Sequence, residues 1–240
     1  MVKQKAILFH PRTLHERNYR NFWIPYSVLS IGSHLVSNGY DITIVDNNFE
    51  QRNPEDIVAE MDRSDLVGVS TMIGHQINEG LDFVAKAKEK FPEITTIFGG
   101  GAPTILPEQF LGSDYIDIVV RGQGEQTVLE VAEALKGKKS LENIPGISFK
   151  DKNRKTIHNN PRTPISKDSF AAYNYSLVNP VNYLRSDEHI SNKVLNHISS
   201  QGCPFGCGFC SEVALYDRKW NSESLERMMQ EVRELVETYG

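Results

Sequence analysis

Short apolar runs recur along the first 140 residues of the chain, and a polar or glycine-containing turn follows each of them. The runs occupy residues 6–9, 42–45, 66–70, 95–98 and 116–120. Runs of this length that are rich in β-branched residues are typical of strands covered on both faces of a sheet. The pattern therefore predicts five buried strands.

Helical patterns separate these runs, at residues 26–38, 55–62, 76–90 and 125–136. In the segment that begins at Gln76, the apolar residues Ile77, Leu81 and Val84 share one face, whereas charged residues share another. Because strands and helices alternate, the connections are expected to be right-handed crossovers. The sequence predicts an α/β fold with a flavodoxin-like, doubly wound, five-stranded parallel sheet in the strand order 2-1-3-4-5.

Glycine-rich turns follow two of these predicted strands, at the sheet edge where ligands of such folds bind. Glycine lets backbone N–H groups approach a ligand, and a helix N-terminus behind it favours an anion. The candidate binding residues are Ser70, Thr71, Met72, Gly74, Gly99, Gly100, Gly101, Gly122, Gly124 and Glu125. The alternative is that the glycines only form tight turns and that Glu125 only stabilises the first turn of a helix. The G-x-G-x-x-G dinucleotide fingerprint does not follow the first strand.

The pattern changes after residue 140. A strand, a polar turn and a second strand are predicted between residues 144 and 158, and a proline-containing stretch without periodicity follows. The expected organisation is a first domain over residues 1–140, a β-hairpin and linker over 141–190, and the start of a second domain over 191–240.

A strand, a loop and a helix are predicted in the last segment. Residues 194–200 read as a strand, and a helix is expected to begin at Asn221, capped by Asn221 or Ser222, and to end near Gly240. Its expected buried stripe consists of Leu225, Met228, Met229, Val232, Leu235 and Val236. A strand followed by a helix is the opening unit of a partial (β/α) barrel, in which chemistry lies at the strand's carboxyl end.

Composition limits the classes of function. The chain has 240 residues, which suffice for one full domain and part of a second, and its formal net charge of −5 comes from interspersed acidic and basic residues. This distribution lacks the basic footprint of a nucleic-acid-binding protein. No apolar stretch approaches the length of a membrane span, and the N-terminus lacks a signal-peptide pattern, so a cytoplasmic protein without a membrane partner is expected.

All three cysteines of the chain, Cys203, Cys207 and Cys210, lie in one predicted loop at the spacing C-x3-C-x2-C. In a reducing compartment such a cluster favours metal binding or catalysis over a disulfide. Three thiolates suit an iron–sulfur cluster with one iron left open to a substrate or cofactor. The alternatives are a structural zinc site, for which His197 is the candidate fourth ligand, and a disulfide with one free thiol.

The segment Cys203-x3-Cys207-x-Phe209-Cys210 resembles the radical S-adenosylmethionine (SAM) superfamily. The resemblance implies that Cys203, Cys207 and Cys210 hold a [4Fe–4S] cluster, and that Phe209 helps to seat the adenine of SAM, largely through its backbone. It also implies that the cluster reduces SAM to give a 5′-deoxyadenosyl radical. A flavodoxin or ferredoxin is the reductant that the resemblance implies.

The N-terminal region resembles the cobalamin-binding domain that precedes the radical SAM domain in one subgroup of that superfamily. The similarity rests on Ile24-Pro25, Gly39-Tyr40-Asp41-Ile42, Gly68-Val69-Ser70, the segment from Phe98 to Thr104 and the segment from Val120 to Glu125. Residues 1–140 then correspond to a cobalamin-binding-like domain, and residues 191–240 to the truncated start of a radical SAM domain. The candidate residues at the sheet edge would contact cobalamin.

One feature departs from the cobalamin domains of methionine synthases and mutases, in which a histidine in the motif D-x-H-x-x-G ligates cobalt. Here the first strand is followed by the segment from His10 to His15, without the aspartate or the glycine of that motif. His75 lies after the third strand, where it neighbours a helix cap. The expectation is cobalamin bound base-off, with its nucleotide tail among Ser70, Thr71 and residues 99–101, and with no protein histidine on cobalt.

The resemblance implies a cobalamin-dependent radical SAM enzyme, and a methyltransferase acting on an unactivated carbon of a small molecule or peptide is favoured. Two alternatives stay open. One is a non-catalytic corrinoid-binding module, and the other is a radical SAM enzyme of other chemistry, such as cyclisation or methylthiolation, that binds no cobalamin. Because only one strand and one helix of the expected barrel precede Gly240, the chain alone is expected to be inactive.

Overall fold

The computed structural model describes residues 4–13, 22–137, 139–187 and 191–239. A mostly parallel sheet forms its centre, with strands in the order β2-β1-β3-β4-β5-β6-β7. The first five strands are parallel: β1 (Lys5–His10), β2 (Asp41–Asp46), β3 (Leu66–Ser70), β4 (Thr95–Gly99) and β5 (Ile118–Val120). The predicted order 2-1-3-4-5 is confirmed.

The predicted count of five strands is wrong, because the hairpin β6 (Ile147–Lys150) and β7 (Thr156–His158) extends the same sheet antiparallel to β5. Ile147 and Phe149 turn into the core with 0% and 6% exposure. The Arg121 guanidinium donates to the Ile147 carbonyl oxygen at 2.9 Å and to that of Asn159. Burial of this guanidinium lowers the pKa of Arg121. The sequence showed the hairpin, but no local signal identified β5 as its partner.

Helices cover both faces of the sheet. They are α1 (Tyr26–Ser37), α2 (Asn47–Glu50), α3 (Pro54–Glu60), α4 (His75–Lys90), α5 (Gly101–Ile105), α6 (Pro107–Leu111) and α7 (Glu125–Leu135). One core lies beneath α3, α4 and α6, and there Phe9 and Phe83 stack with ring centroids 4.0 Å apart. The other core lies beneath α1 and α7. None of the helices in the described ranges is long and apolar enough to cross a membrane.

The last part of the chain differs from its prediction. Strands β8 (Arg185–Asp187) and β9 (Ser191–Val194) pair antiparallel, and β10 (Ser200–Gly202) pairs antiparallel with β11 (Trp220–Ser222). Between β10 and β11 lie the cysteines and the short helix α8 (Glu212–Tyr216). The strand predicted over 194–200 is wrong, since residues 195–199 form no strand. The apolar run there was too short to mark where pairing begins.

The final helix α9 (Leu225–Tyr239) begins later than predicted, because Asn221 and Ser222 belong to strand β11. Ser224 precedes the helix instead, and its hydroxyl oxygen accepts a hydrogen bond from the Arg227 backbone N–H at 3.3 Å. Gly240, the expected end of the helix, lies outside the described residues.

The predicted buried stripe of α9 is largely wrong. Leu235 is buried, but Leu225, Met229 and Val236 are 65%, 46% and 64% exposed. The helix instead buries Glu231, whose carboxylate pairs with Arg227 and lies 3.8 Å from His197 Nε2. Next to Glu231, aromatic residues of the linker and of α1 form a cluster that packs against Leu235. The buried members of this cluster include Tyr26, Tyr173, Tyr175 and Tyr183. Hydrophobic periodicity alone cannot reveal such a charged buried face.

The inclusion of the hairpin in the main core can be tested with two truncations on adjacent strands. Ile147→Ala should lower the free energy of unfolding by about 2 to 5 kcal/mol, because it leaves a cavity in a fully buried site. Ile157→Ala on β7 serves as the matched control and should cost less, since Ile157 is only half-buried. Urea unfolding measures both values, and equal small losses would contradict the assignment of β6 to the core.

Candidate cofactor site

The carboxyl edges of β3 and β4 are held together by their loops. The Thr71 backbone N–H donates to the Gly99 carbonyl oxygen at 2.9 Å, just beyond the last paired residues of the two strands. Gly100 follows with a φ of +95°, and a Cβ atom there would overlap the Thr71 carbonyl oxygen. Only glycine satisfies both the left-handed backbone and this close approach. The loop after β4 therefore leaves the sheet at a fixed angle toward α5.

A cavity of about 130 Å³ lies beneath these loops, between the sheet and helices α1 and α7. Six predicted binding residues line it: Ser70, Gly99, Gly100, Gly122, Gly124 and Glu125. Its apolar walls come from Leu8, Val28, Ile31, Val69, Ile97, Val120 and Val128. At Gly99 an added Cβ would lie 3.7 Å from the Val120 carbonyl oxygen, an ordinary van der Waals contact, so a methyl group fits there without a clash. The cavity suits a flat, largely apolar group.

Polar groups also line or border this cavity. Glu125 is 4% exposed, and the Ser30 hydroxyl donates to its Oε1 at 2.6 Å. Next to the lining loops, the Thr71 hydroxyl is buried and has no hydrogen-bond partner within the described part of the chain. A buried hydroxyl without a partner costs free energy unless a ligand or water satisfies it. A ligand with an apolar ring and polar substituents would fit this distribution.

The other predicted residues of this edge lie outside the cavity. Met72 is 68% exposed and is followed by Ile73 at 79%, and Gly74 adopts a φ of +106° before α4. Gly101 begins α5. Two exposed apolar side chains at the sheet edge offer a contact surface to a ligand larger than the cavity.

The histidines near this edge already have roles in the fold. His10 Nδ1 lies 2.9 Å from Asp46 Oδ1, and the Tyr183 hydroxyl donates to the other carboxylate oxygen of Asp46 at 2.8 Å. Burial and the Asp46 carboxylate raise the pKa of Tyr183. His75 is the first residue of α4. Leu14 and His15, the rest of the segment considered for a cobalt ligand, lie outside the described residues.

The cysteine loop projects from the base formed by β10 and β11. Gly202, the last residue of β10, has a φ of +82°, and a Cβ atom there would overlap the Lys219 carbonyl oxygen. Cys203 follows directly, Cys207 is exposed, and the Cys210 backbone N–H donates to the Cys207 carbonyl oxygen at 3.1 Å. All three are free thiols. Phe209 is 93% exposed, so its ring contacts little of the described chain.

His197 turns toward two glutamates. Its Nε2 lies 3.3 Å from Glu223 and 3.8 Å from Glu231. Within the described ranges, these three side chains are the only His, Cys, Asp or Glu group whose ligand atoms all lie within 4.8 Å of one another. The arrangement gives no support to the zinc alternative in which His197 completes a cysteine site.

Two cationic side chains pair with these glutamates, and the resulting network of charges supports the cysteine loop. Lys167 Nζ lies 2.9 Å from Glu223, and Arg227 Nε lies 3.0 Å from Glu231. Burial would raise the pKa of Glu223, but hydrogen bonds from His197 and Lys167 lower it below its ordinary value. Burial and the neighbouring Glu223 raise the pKa of Glu231. These pairs join the linker, the residues before β10 and helix α9.

Among the cavity residues that sequence reasoning missed are Gln201 and Tyr216, which come from β10 and α8. They flank the cysteines in the chain, but no local pattern pointed to a distant cavity. The apolar walls Val28 and Ile31 were visible only as part of the α1 helix. Their role as a lining depends on the sheet opposite, which periodicity does not specify.

Comparisons with known proteins agree with this geometry. Residues 17–132 match the family described as B12 binding domain. The chain is 29% identical over 211 residues to an uncharacterized methyltransferase of Pyrococcus horikoshii, covering 86% of this chain and 44% of the relative. It is 28% identical to an anaerobic magnesium-protoporphyrin IX monomethyl ester cyclase of Synechocystis, covering 90% of this chain and 43% of the relative.

A similar fold occurs in the radical SAM methyltransferase TsrM of Kitasatospora setae, solved with cobalamin and a [4Fe–4S] cluster bound. The TM-score is 0.74 at 16% identity, over 98% of this chain and 46% of TsrM. The chain thus spans less than half the length of each of these three proteins.

The glycine requirement at position 100 gives a first test of the site. Gly100→Ala should lower the free energy of unfolding by about 1 to 3 kcal/mol, since alanine is strained at this φ and clashes with the Thr71 carbonyl. The matched control is Gly99→Ala, because its added methyl group would make only ordinary van der Waals contacts with Val120. Thermal and urea unfolding compare them. A Gly100→Ala protein as stable as the control would contradict the described loop geometry.

The buried charges beneath the cysteine loop give a second test. Lys167→Met should cost about 3 to 5 kcal/mol of unfolding free energy, because it leaves Glu223 buried without its cation. Lys219→Met is the matched control: Lys219 pairs with Asp217 at an exposed site, where the expected loss is at most about 1 kcal/mol. If urea unfolding shows the same small change for both variants, the buried network does not stabilise this region.

Proposed function

We propose that this chain, a member of the cobalamin-binding-domain-containing radical SAM proteins, binds cobalamin at the carboxyl edge of its sheet and a [4Fe–4S] cluster in its cysteine loop. The protein would use both in methyl transfer to an unactivated carbon. The observation that carries the proposal is the apolar cavity beneath the glycine loops, because Gln201 of β10 and Tyr216 of α8, on either side of the cysteines, line the same cavity.

The residues around the cavity fit the nucleotide tail of cobalamin. The apolar walls would enclose its aromatic base, and the backbone of Gly99 and Gly100 would approach the sugar and phosphate, where side chains are absent. The unpartnered Thr71 hydroxyl and the Glu125 carboxylate supply a donor and an acceptor. Met72 and Ile73 would pack against the corrin ring at the sheet edge.

The same contacts support the proposal that cobalamin binds base-off, without a histidine on cobalt. If the nucleotide tail is buried in the cavity, its aromatic base is held away from the corrin ring and its cobalt. His10 is engaged by Asp46 through Nδ1, and Asn48 Nδ2 also lies 3.0 Å from that nitrogen. We therefore assign His10 to the fold rather than to the metal.

Cys203, Cys207 and Cys210 would hold the cluster, and the backbone of Phe209 would contact the adenine of SAM. When bound, the cluster supplies the electron that cleaves SAM, and cobalamin supplies the methyl group. The loop's position between β10 and β11 keeps the thiols at an accessible surface, as a site that must receive SAM and an electron donor requires. A cytoplasmic flavodoxin or ferredoxin is the proposed reductant.

The name of one relative favours a second reaction class. The cyclase of Synechocystis matches 90% of this chain, so ring closure on the same cofactor frame is the main alternative to methyl transfer. A small molecule or a peptide is the proposed substrate. A non-catalytic corrinoid-binding module would neither assemble a cluster nor cleave SAM, which distinguishes it from an enzyme of either reaction class.

Corrinoid binding is tested by anaerobic titration with hydroxocobalamin, followed by gel filtration and an absorption spectrum. We expect the corrinoid to co-elute with the wild-type protein. Gly99→Val should abolish retention, because Gly99 lines the cavity and a branched side chain there would occupy part of its volume. Thr43→Val, an exposed change on the edge strand β2, is the control that should retain it. A folded wild-type protein that retains no corrinoid would overturn the cobalamin assignment.

Cluster binding is tested separately by anaerobic reconstitution with iron and sulfide. Cys207→Ser should lose the cluster absorbance and most of the iron, because a three-thiolate site loses one ligand. It should still bind hydroxocobalamin, since Cys207 does not line the cavity. Full iron and sulfide content in this variant would contradict the ligand assignment.

A further inference from the structure

We infer that occupancy of the cobalamin-tail cavity and assembly of the cysteine site are energetically coupled, because the chain on either side of the cysteines forms part of the cavity wall. This inference rests on the proposed function. Gln201 lies two residues before Cys203, and Tyr216 lies six residues after Cys210; both line the cavity. A ligand there would contact the segment that holds the cysteines from both of its ends.

Helix α8 provides the first physical connection. It begins at Glu212, two residues after Cys210, and packs against α5, the helix that follows the Gly99–Gly100 loop. Leu215 Cδ1 lies 3.8 Å from the position of a Cβ on Gly101. At the end of α8, Tyr216 reaches the cavity beside Glu125. Burial raises the pKa of Tyr216, and the carboxylates of Glu212 and Glu125 add to this effect.

A second connection runs through Ile165 in the linker. The Ile165 N–H donates to Gln123 Oε1 at 2.8 Å, and its carbonyl oxygen accepts from Gln123 Nε2 at 2.9 Å. The same carbonyl accepts from Asn221 Nδ2 at 2.7 Å. Asn221 is the ladder partner of Gln201. The cavity loop that contains Gln123 is therefore tied by hydrogen bonds to the base of the cysteine loop.

These contacts predict a reciprocal effect. A tail in the cavity would fix Tyr216 and Gln201, and with them the two ends of the cysteine loop, so less conformational entropy remains to be lost when the cluster assembles. Thermodynamic linkage then requires that cluster assembly tighten corrinoid binding by the same factor. Tyr216 is thus a positioning residue, because its contact with the cavity holds the C-terminal end of the cysteine loop in place.

The test compares the dissociation constant for hydroxocobalamin, measured from its absorption, in the cluster-free and the cluster-reconstituted protein. We expect binding to be about tenfold tighter with the cluster, within the usual range of such couplings. Tyr216→Ala should reduce this ratio to about twofold or less, because its ring no longer joins cavity and loop. Tyr216→Phe should keep the ratio, since it retains the ring.

Two further samples keep the outcomes distinct. Gln201→Ala tests the other end of the loop and should also reduce the ratio, whereas Tyr115→Ala, at an exposed site outside the cavity lining, should not. Far-ultraviolet circular dichroism confirms that each variant is folded. Equal dissociation constants with and without the cluster would overturn the coupling. Failure of every form to bind the corrinoid would instead overturn the proposed cobalamin function.

Discussion

The close approach of Gly100 to the Thr71 carbonyl is the constraint on which the candidate site depends. It brings the loops after β3 and β4 together at the point where parallel strands end, and the Thr71–Gly99 hydrogen bond fixes their separation. Gly99 and Gly100 then line the apolar cavity between the sheet and helices α1 and α7. Small residues at this edge thus create a binding volume without weakening the buried strands beneath it.

A second constraint acts on the cysteine loop. Its ends are paired through β10 and β11, and beneath that ladder Lys167, His197, Glu223, Arg227 and Glu231 form a buried group of paired charges. Each charge would be costly to bury alone, so the network stabilises one arrangement of linker, loop base and helix α9. The cysteines, of which Cys207 is exposed and Cys203 and Cys210 are half-buried, therefore lie on a loop whose two ends are fixed.

Much of the first domain could be predicted from sequence, because strands buried on both faces produce apolar runs that local patterning detects. The parallel order and the glycines that line the cavity followed from that pattern. The addition of β6 and β7 to the sheet did not, since it depends on long-range contacts such as that of Arg121 with the Ile147 carbonyl. For the same reason the charged face of α9 at Glu231 and the approach of Tyr216 to the cavity carried no local signal.

The central claim is that the cavity takes the nucleotide tail of cobalamin and so removes its base from cobalt. The most direct measurement is the electron paramagnetic resonance spectrum of the complex after reduction to cob(II)alamin. We expect cobalt lines without nitrogen splitting, because neither the tail base nor a histidine would coordinate the metal. Nitrogen splitting would contradict it, and a change of that splitting from three lines to two in a sample labelled with ¹⁵N only in histidine would identify a protein ligand.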